Sequence, residues 1–232
     1  MNIAIVLASG VGQRMRAGKN KTLITLGGKP LICHALENFQ KAQLIDKIIL
    51  VVKAGEEKIF TRILAKHPAK KVTAIIVGGR ERQDSAYNGV RFVQENFKNL
   101  KDAVVLFHNG ANPFVTQIEI QAVIEAAQKN GAAVVAHKTK DTIRQVDKKM
   151  FSLGVVERSN LWNMQTPQVI RFPLALKAFS QASQDNFLGT DDVFLVERLG
   201  KKVQIIEASE NNFKVTTPID LELAKIIWRK LN

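Results

Sequence analysis

Several kinds of protein are excluded by what this chain lacks. A single cysteine, Cys33, stands among 232 residues, so an internal disulfide is excluded and a reducing compartment fits. The four histidines, His34, His67, His108 and His137, show no metal-ligand spacing. No apolar run approaches the roughly eighteen residues of a membrane span, and no basic segment followed by a long apolar one opens the chain. The expectation is therefore a cytoplasmic protein without a membrane partner. Aromatic residues are scarce at 6%, with one Tyr and two Trp. The net charge of +13 calls for an anionic partner or for a solubility role of solvated lysines such as Lys66, Lys70 and Lys71. The lysines are spread over the whole length and no nucleic-acid module is present, so nucleic acid is not the expected partner. Acid is also missing locally, because the first thirty residues contain no Asp or Glu.

That acid-free stretch is the most informative part of the chain. Ile3 to Leu7 is an apolar run that reads as a buried strand. Gly10 and Gly12 follow, letting the backbone turn tightly and approach a ligand without an intervening Cβ. Arg14, Arg16, Lys19 and Lys21 come next, uncompensated by acid. A strand, a glycine turn and a run of cations in an acid-free stretch describe a cradle for a polyphosphate. The Walker pattern fails, because Gly12 and Gly18 enclose five residues and Asn20 follows the lysine. The dinucleotide pattern fails at Met15, where its last glycine should stand. What remains is G-x-G-x-R-M with a lysine seven positions after the arginine. It resembles the signature loop of sugar-nucleotide pyrophosphorylases and cytidylyltransferases.

Downstream, strands and helices alternate. Strands are expected at Lys47 to Val52, Val72 to Val77, Ala103 to Phe107, Ala132 to Ala136 and Val203 to Ile206. Helices are expected from Pro30 to about Ala42, Glu56 to Lys66, Gln83 to Asn96, Gln117 to Lys129, after Pro173, and at the C-terminus behind Thr217 and Pro218. Thr190-Asp191-Asp192 is expected to cap a further helix reaching Leu199. This rhythm argues for βαβ units and a mainly parallel sheet. It breaks at His137 to Leu161, where polar and β-branched residues alternate around Asp147-Lys148-Lys149. That segment reads as a two-stranded arm outside the sheet, at about 138–160. No repeat or linker appears, so one domain, 1–232, is expected. Trp162 and Met164 read as core.

Six ordered motifs then add up to a family. They are the first loop, Gly78 to Gly89 (G-G-x-x-R-x-x-S-x-x-N-G), Lys140-Asp-Thr-Ile143, Gln165-Thr-Pro-Gln168, Thr190 to Glu197 (T-D-D-x-x-L-V-E) and Asn212 to Thr216 (N-x-K-V-T). Together they resemble the 2-C-methyl-D-erythritol 4-phosphate cytidylyltransferases of the non-mevalonate isoprenoid pathway, over nearly the whole chain. The resemblance implies a Rossmann-like α/β nucleotidyltransferase sheet, mainly parallel, with a protruding β-hairpin arm. It implies transfer of CMP from CTP to the methylerythritol phosphate. Arg14, Lys21 and Lys214 would be catalytic. Ala8, Ser9, Gly10, Gly12, Gly79, Arg80 and Ser85 would bind the nucleotide. Asn109, Asn112, Thr142, Arg158 and Thr190 would bind the acceptor, with Thr142 and Arg158 reaching into a partner's site across a homodimer. Mg²⁺ would ride mainly on the CTP phosphates, with Asn109 the one protein candidate.

The chain departs from the family pattern in two places. P-K-Q is Asn20-Lys21-Thr22, and H-D-A-A-R-P is His108-Asn-Gly-Ala-Asn-Pro113. The second change removes an acidic acceptor and a basic donor together, which preserves local charge. A related cytidylyltransferase acting on another polyol phosphate, such as ribitol 5-phosphate, would share most of these motifs. An alternative of a different class is a non-catalytic phosphate-binding or nucleic-acid-binding protein.

Overall fold

A computed structural model describes residues 1–10 and 20–231, so Gly12 and Arg14 lie outside the described residues. The order is β1 (Asn2–Ala8), β2 (Thr25–Leu26), β3 (Lys29–Pro30), α1 (Leu31–Lys41), β4 (Lys47–Val52), α2 (Glu57–Lys66), β5 (Val72–Val77), α3 (Arg82–Asn96), β6 (Val104–Asn109) and α4 (Gln117–Asn130). There follow β7 (Ala132–Lys138), β8 (Ile143–Val146), β9 (Ser152–Val156), β10 (Trp162–Arg171), α5 (Phe172–Gln184), α6 (Phe194–Glu197), β11 (Gln204–Glu207) and α7 (Pro218–Leu231). Seven strands form one sheet in the order β11-β7-β10-β6-β1-β4-β5. All run parallel except β10, which is antiparallel to both its neighbours.

The continuous apolar runs of the parallel strands follow from burial on both faces. In β1, Ala4, Val6 and Ala8 enter one core layer, while Ile3, Ile5 and Leu7 enter the other. Helices α1, α2 and α4 supply the first layer with Phe39, Phe60 and Val123. Helices α3 and α5 supply the second with Val90 and Phe179. A third, smaller cluster ties β2 and α1 to the C-terminal helix through Leu26, Leu31, Val215, Ala224 and Trp228.

The structure adds one strand to those expected and shortens one helix. Residues 162–171, to which the sequence reading assigns no element, form β10 in the middle of the sheet. Its pairing with β7 slips between Met164 and Gln168, and Pro167, which cannot donate to a ladder, lies within that irregularity. The helix expected behind Thr190 spans only Phe194–Glu197. There Asp191 accepts from the Phe194 amide at 2.9 Å, while the second glutamine of Q-T-P-Q accepts from the amides of Asp192 and Val193 at 2.8 and 3.1 Å. Gln168 therefore holds this segment as a loop, and the Thr190 side is left toward a cavity. Strands β8 and β9 pair antiparallel in a sheet of their own, as expected for an arm.

Candidate active site

The sheet places its chemistry where strand direction dictates. Beyond the carboxyl ends of β1, β4, β5 and β6 lies a cavity of about 360 Å³, lined by Ser9, Gly10, Lys21, Lys53, Gly79, Arg80, Arg82, Ser85, Asn109 and Lys214 among others. Strand β1 is flanked by β4 on one side and β6 on the other, so the cavity sits at the topological switch point of the sheet, the position open α/β folds use for ligands. A second cavity of about 390 Å³ adjoins it, lined by Arg82, Asn109, Met164, Gln165, Thr166, Gln168, Thr190, Asp191 and Lys214. Arg82, Asn109 and Lys214 line both.

The floor of the first cavity is built on serine and glycine. The Ser85 hydroxyl donates to the Glu81 carbonyl at 3.1 Å and accepts from Ser9 Oγ at 2.9 Å and the Gly79 amide at 3.1 Å. A hydroxyl has one proton and two lone pairs, and all three are used. Ser85 thus orients the Gly79 turn, and reading a nucleotide base with this hydroxyl would mean giving up one of those bonds. Gly79 has no room for a side chain, since a Cβ would stand 2.2 Å from that of Asp84. The Ala8 carbonyl accepts from Asn20 at 2.6 Å, and Ala8 is buried behind the cavity wall.

Arg82 anchors the junction. It donates to both carboxylate oxygens of Asp192, at 2.8 and 2.6 Å, and through Nε to Asn109 Oδ1 at 3.2 Å. Burial opposes its charge, but the Asp192 carboxylate outweighs that and holds its pKa above the ordinary arginine value. Among the described residues no ion pair is formed by Lys53 or Arg80, so the first cavity carries uncompensated positive charge. Lys53 is not expected from the sequence, although it follows a strand end, which is a usable signal. Arg82 is the arginine of the Gly78 to Gly89 motif but carries no expected role, and its partner Asp192 lies 110 residues away.

The remaining predicted residues divide. Thr190 lines the second cavity. Thr142 and Arg158 lie exposed on the arm, line neither cavity, and Arg158 donates to the Lys140 carbonyl at 2.7 Å. Asn112 is 0% exposed and lines neither cavity; its amide sits 3.5 Å from both Gln165 and Asn212. Met164, expected in the core, is exposed at the second cavity.

Comparison with known proteins decides the family. Residues 2–230 match the family model for 2-C-methyl-D-erythritol 4-phosphate cytidylyltransferase. The chain belongs to that family. It is 43% identical over 224 residues to the 2-C-methyl-D-erythritol 4-phosphate cytidylyltransferase of Geobacillus kaustophilus, covering 97% of this chain and 95% of that one. It is 44% identical over 225 residues to the protein of the same name from Bacillus mycoides, covering 97% and 96%. A solved structure of 4-diphosphocytidyl-2C-methyl-D-erythritol synthase from Anaerococcus prevotii superposes with a TM-score of 0.85 at 28% identity, covering 99% of this chain and 96% of that one. The Francisella tularensis cytidylyltransferase gives 0.81 at 27%, with 97% and 98% covered.

The two asparagines of the His108 to Pro113 segment sit in different surroundings. Asn109 Oδ1 faces the Arg82 guanidinium. Asn109 is a neutral amide, so among the described residues Asp192 is the only carboxylate that Arg82 hydrogen-bonds. Asn112 is part of a buried polar cluster with Asn212, which in turn donates to the Thr166 carbonyl at 3.0 Å.

Proposed function

We propose that the two cavities divide the substrates between them, CTP in the first and the acceptor's polyol phosphate in the second. The reaction is that of the family: CMP passes from CTP to 2-C-methyl-D-erythritol 4-phosphate, giving 4-diphosphocytidyl-2-C-methyl-D-erythritol and pyrophosphate. The observation that carries the division is the shared wall, Arg82, Asn109 and Lys214.

An acceptor phosphate oxygen attacks the α-phosphorus, and the bond from that phosphorus to the bridging oxygen breaks as pyrophosphate leaves. The nucleophile is already ionised at neutral pH, so no general base is needed. The difficulty is bringing several negative charges together, which cations and positioning solve. Lys214 stands between the incoming phosphate and the α-phosphate. Lys21 and Arg14 hold the triphosphate and meet the charge that builds there, with Lys53 and Arg80 adding to the field. The backbone of Ser9, Gly79 and Arg80 reads the base, Ser85 fixing the turn, while Gly10 and Gly12 allow close approach.

Mg²⁺ would in this reading be held mainly by the CTP phosphates, where it would supply charge screening. Among the described residues no group of three or more His, Cys, Asp or Glu could hold a metal, and Asn109 Oδ1 already faces Arg82. The residues present therefore fit a cation held by the nucleotide better than one held by a protein cage. The arm makes the enzyme a homodimer, because Met150, Phe151, Leu153 and Val155 are 77, 68, 67 and 60% exposed on it, a patch that water alone would not favour. The whole chain acts as one catalytic domain, in the cytoplasm.

Pyrophosphate release from CTP and Mg²⁺ with methylerythritol phosphate or ribitol 5-phosphate, in parallel tubes, tests the acceptor. Release with the first alone is expected, and would make the two asparagines tolerated variants. Release with ribitol phosphate alone would overturn the assignment and mark Asn109 as the site of a changed specificity.

A further inference from the structure

The lysine of the first loop is flanked by Asn20 and Thr22 where the family pattern has proline and glutamine, and the structure shows what the replacement does. Asn20 is 4% exposed and its side chain is fully engaged. The two amide protons go to the Ala8 carbonyl at 2.6 Å and to Glu56 Oε2 at 2.7 Å. The two lone pairs of Oδ1 take the Thr22 amide at 3.1 Å and its hydroxyl at 2.8 Å. The Asn20 carbonyl accepts from Leu23 at 3.0 Å, closing the 3₁₀ turn Lys21–Leu23. Asn20 has φ −56°, inside the range a proline ring would impose. Hydrogen bonds here do what a ring would do covalently.

Glu56 is the outer anchor of this arrangement. It sits at the start of α2, where its carbonyl accepts from Ile59 and Phe60 at 2.9 and 3.1 Å, and Phe60 is fully buried. Its carboxylate, bonded to a buried amide, makes a charge-assisted bond of the stronger kind. The link runs from a core-rooted helix start, through Asn20, to the backbone on both sides of Lys21. We propose that Glu56 is a positioning residue for Lys21, acting through the Asn20–Thr22 clamp. This rests on Lys21 serving the triphosphate, as argued above. A lysine ammonium on a four-carbon stem needs a fixed root to be aimed, and a misplacement of about 1 Å can cost about a hundredfold in rate.

The test is a double-mutant cycle read in kcat, with circular dichroism on each variant. Lys21→Ala is expected to slow turnover about a hundredfold, and Glu56→Ala about tenfold, with the acceptor KM moved less than about twofold. Glu56→Gln, which keeps an oxygen for Asn20 Nδ2, should stay within about threefold of the parent. Added to Lys21→Ala, Glu56→Ala should cost nothing further, since it acts only through the lysine. Wild-type kcat in Glu56→Ala, a loss in Glu56→Gln as deep as in Glu56→Ala, or losses that multiply in the double variant would each overturn the clamp while Lys21 keeps its role. Normal turnover in Lys21→Ala would instead remove the lysine from the chemistry, and the proposal with it.

Discussion

A histidine that cannot take up a proton makes stability depend on pH, and His108 is such a residue. It is 0% exposed in β6, its Nε2 meets the Asn112 carbonyl at 3.0 Å and its ring packs edge-on against Phe39 at 4.8 Å. Among the described residues Nδ1 has no hydrogen-bond partner. Burial pushes its pKa down from 6.5 to about 4, with the Arg82 charge adding in the same direction and the bond to Asn112 opposing. The unfolded chain therefore binds a proton between those values that the folded chain refuses, so stability is full above about pH 7 and falls as pH drops from 6.5 toward 4. Between pH 7 and 5 the linkage amounts to about 2 kcal/mol. Urea titrations at the two pH values should show that loss, and His108→Leu should remove most of it. What remains belongs to groups such as His34, also lowered by burial. An equal loss in the variant would mean that His108 is not the titrating group.

At the scale of elements, the docking of α7 turns on one glycine. Gly27 has φ +56°, and a Cβ there would stand 2.1 Å from the Trp228 ring. Gly27→Ala must therefore strain the turn and displace the indole from the cluster that also holds Phe213 and Val215, the two neighbours of Lys214. A destabilisation of about 2 kcal/mol or more, seen as a fall of about 5 °C in Tm, is expected together with slower turnover. A wild-type melting curve would show that the indole moves aside freely. Nothing in a linear reading marks that contact, yet most elements were legible. The buried parallel strands announce themselves as apolar runs, and Thr217 and Asp220 signal the start of α7, where Asp220 Oδ2 accepts from the Thr216 and Thr217 amides, each at 2.8 Å. Strand β10 hid because Pro167 and the polar run Asn163 to Gln168 contradict a central strand; its hydrogen bonds come from neighbours that only the fold supplies. Of the candidate site, the residues at strand ends are expected from the family resemblance, and Arg82 and Asp192 both stand inside its motifs; their ion pair across 110 residues is what a linear reading does not show. Asn112, expected at the acceptor by its motif position, is buried and lines neither cavity, because its short side chain is taken up in the polar cluster with Asn212.

At the scale of the whole molecule the question is whether a site can be completed within one chain. Arg158 and Thr142 lie on the arm, exposed and outside both cavities, and the arm's apolar side chains are left to water. A two-fold dimer in which each arm covers its neighbour would answer both facts, because an isologous contact buries the two patches and brings each Arg158 to the other chain's second cavity. Arg158→Ala should then raise the acceptor KM about tenfold or more while CTP affinity holds, as expected for a lost charge-assisted phosphate contact. Complementation separates this from a contact within one chain. Lys214→Ala and Arg158→Ala proteins, each impaired at low acceptor concentration, are unfolded together and refolded as a mixture. If the arm works across the dimer, a mixed pair has one site with both defects and one with neither. Random pairing makes half the dimers mixed, so about a quarter of wild-type activity should return. If Arg158 serves its own chain, every site in the mixture keeps one defect, and no activity returns.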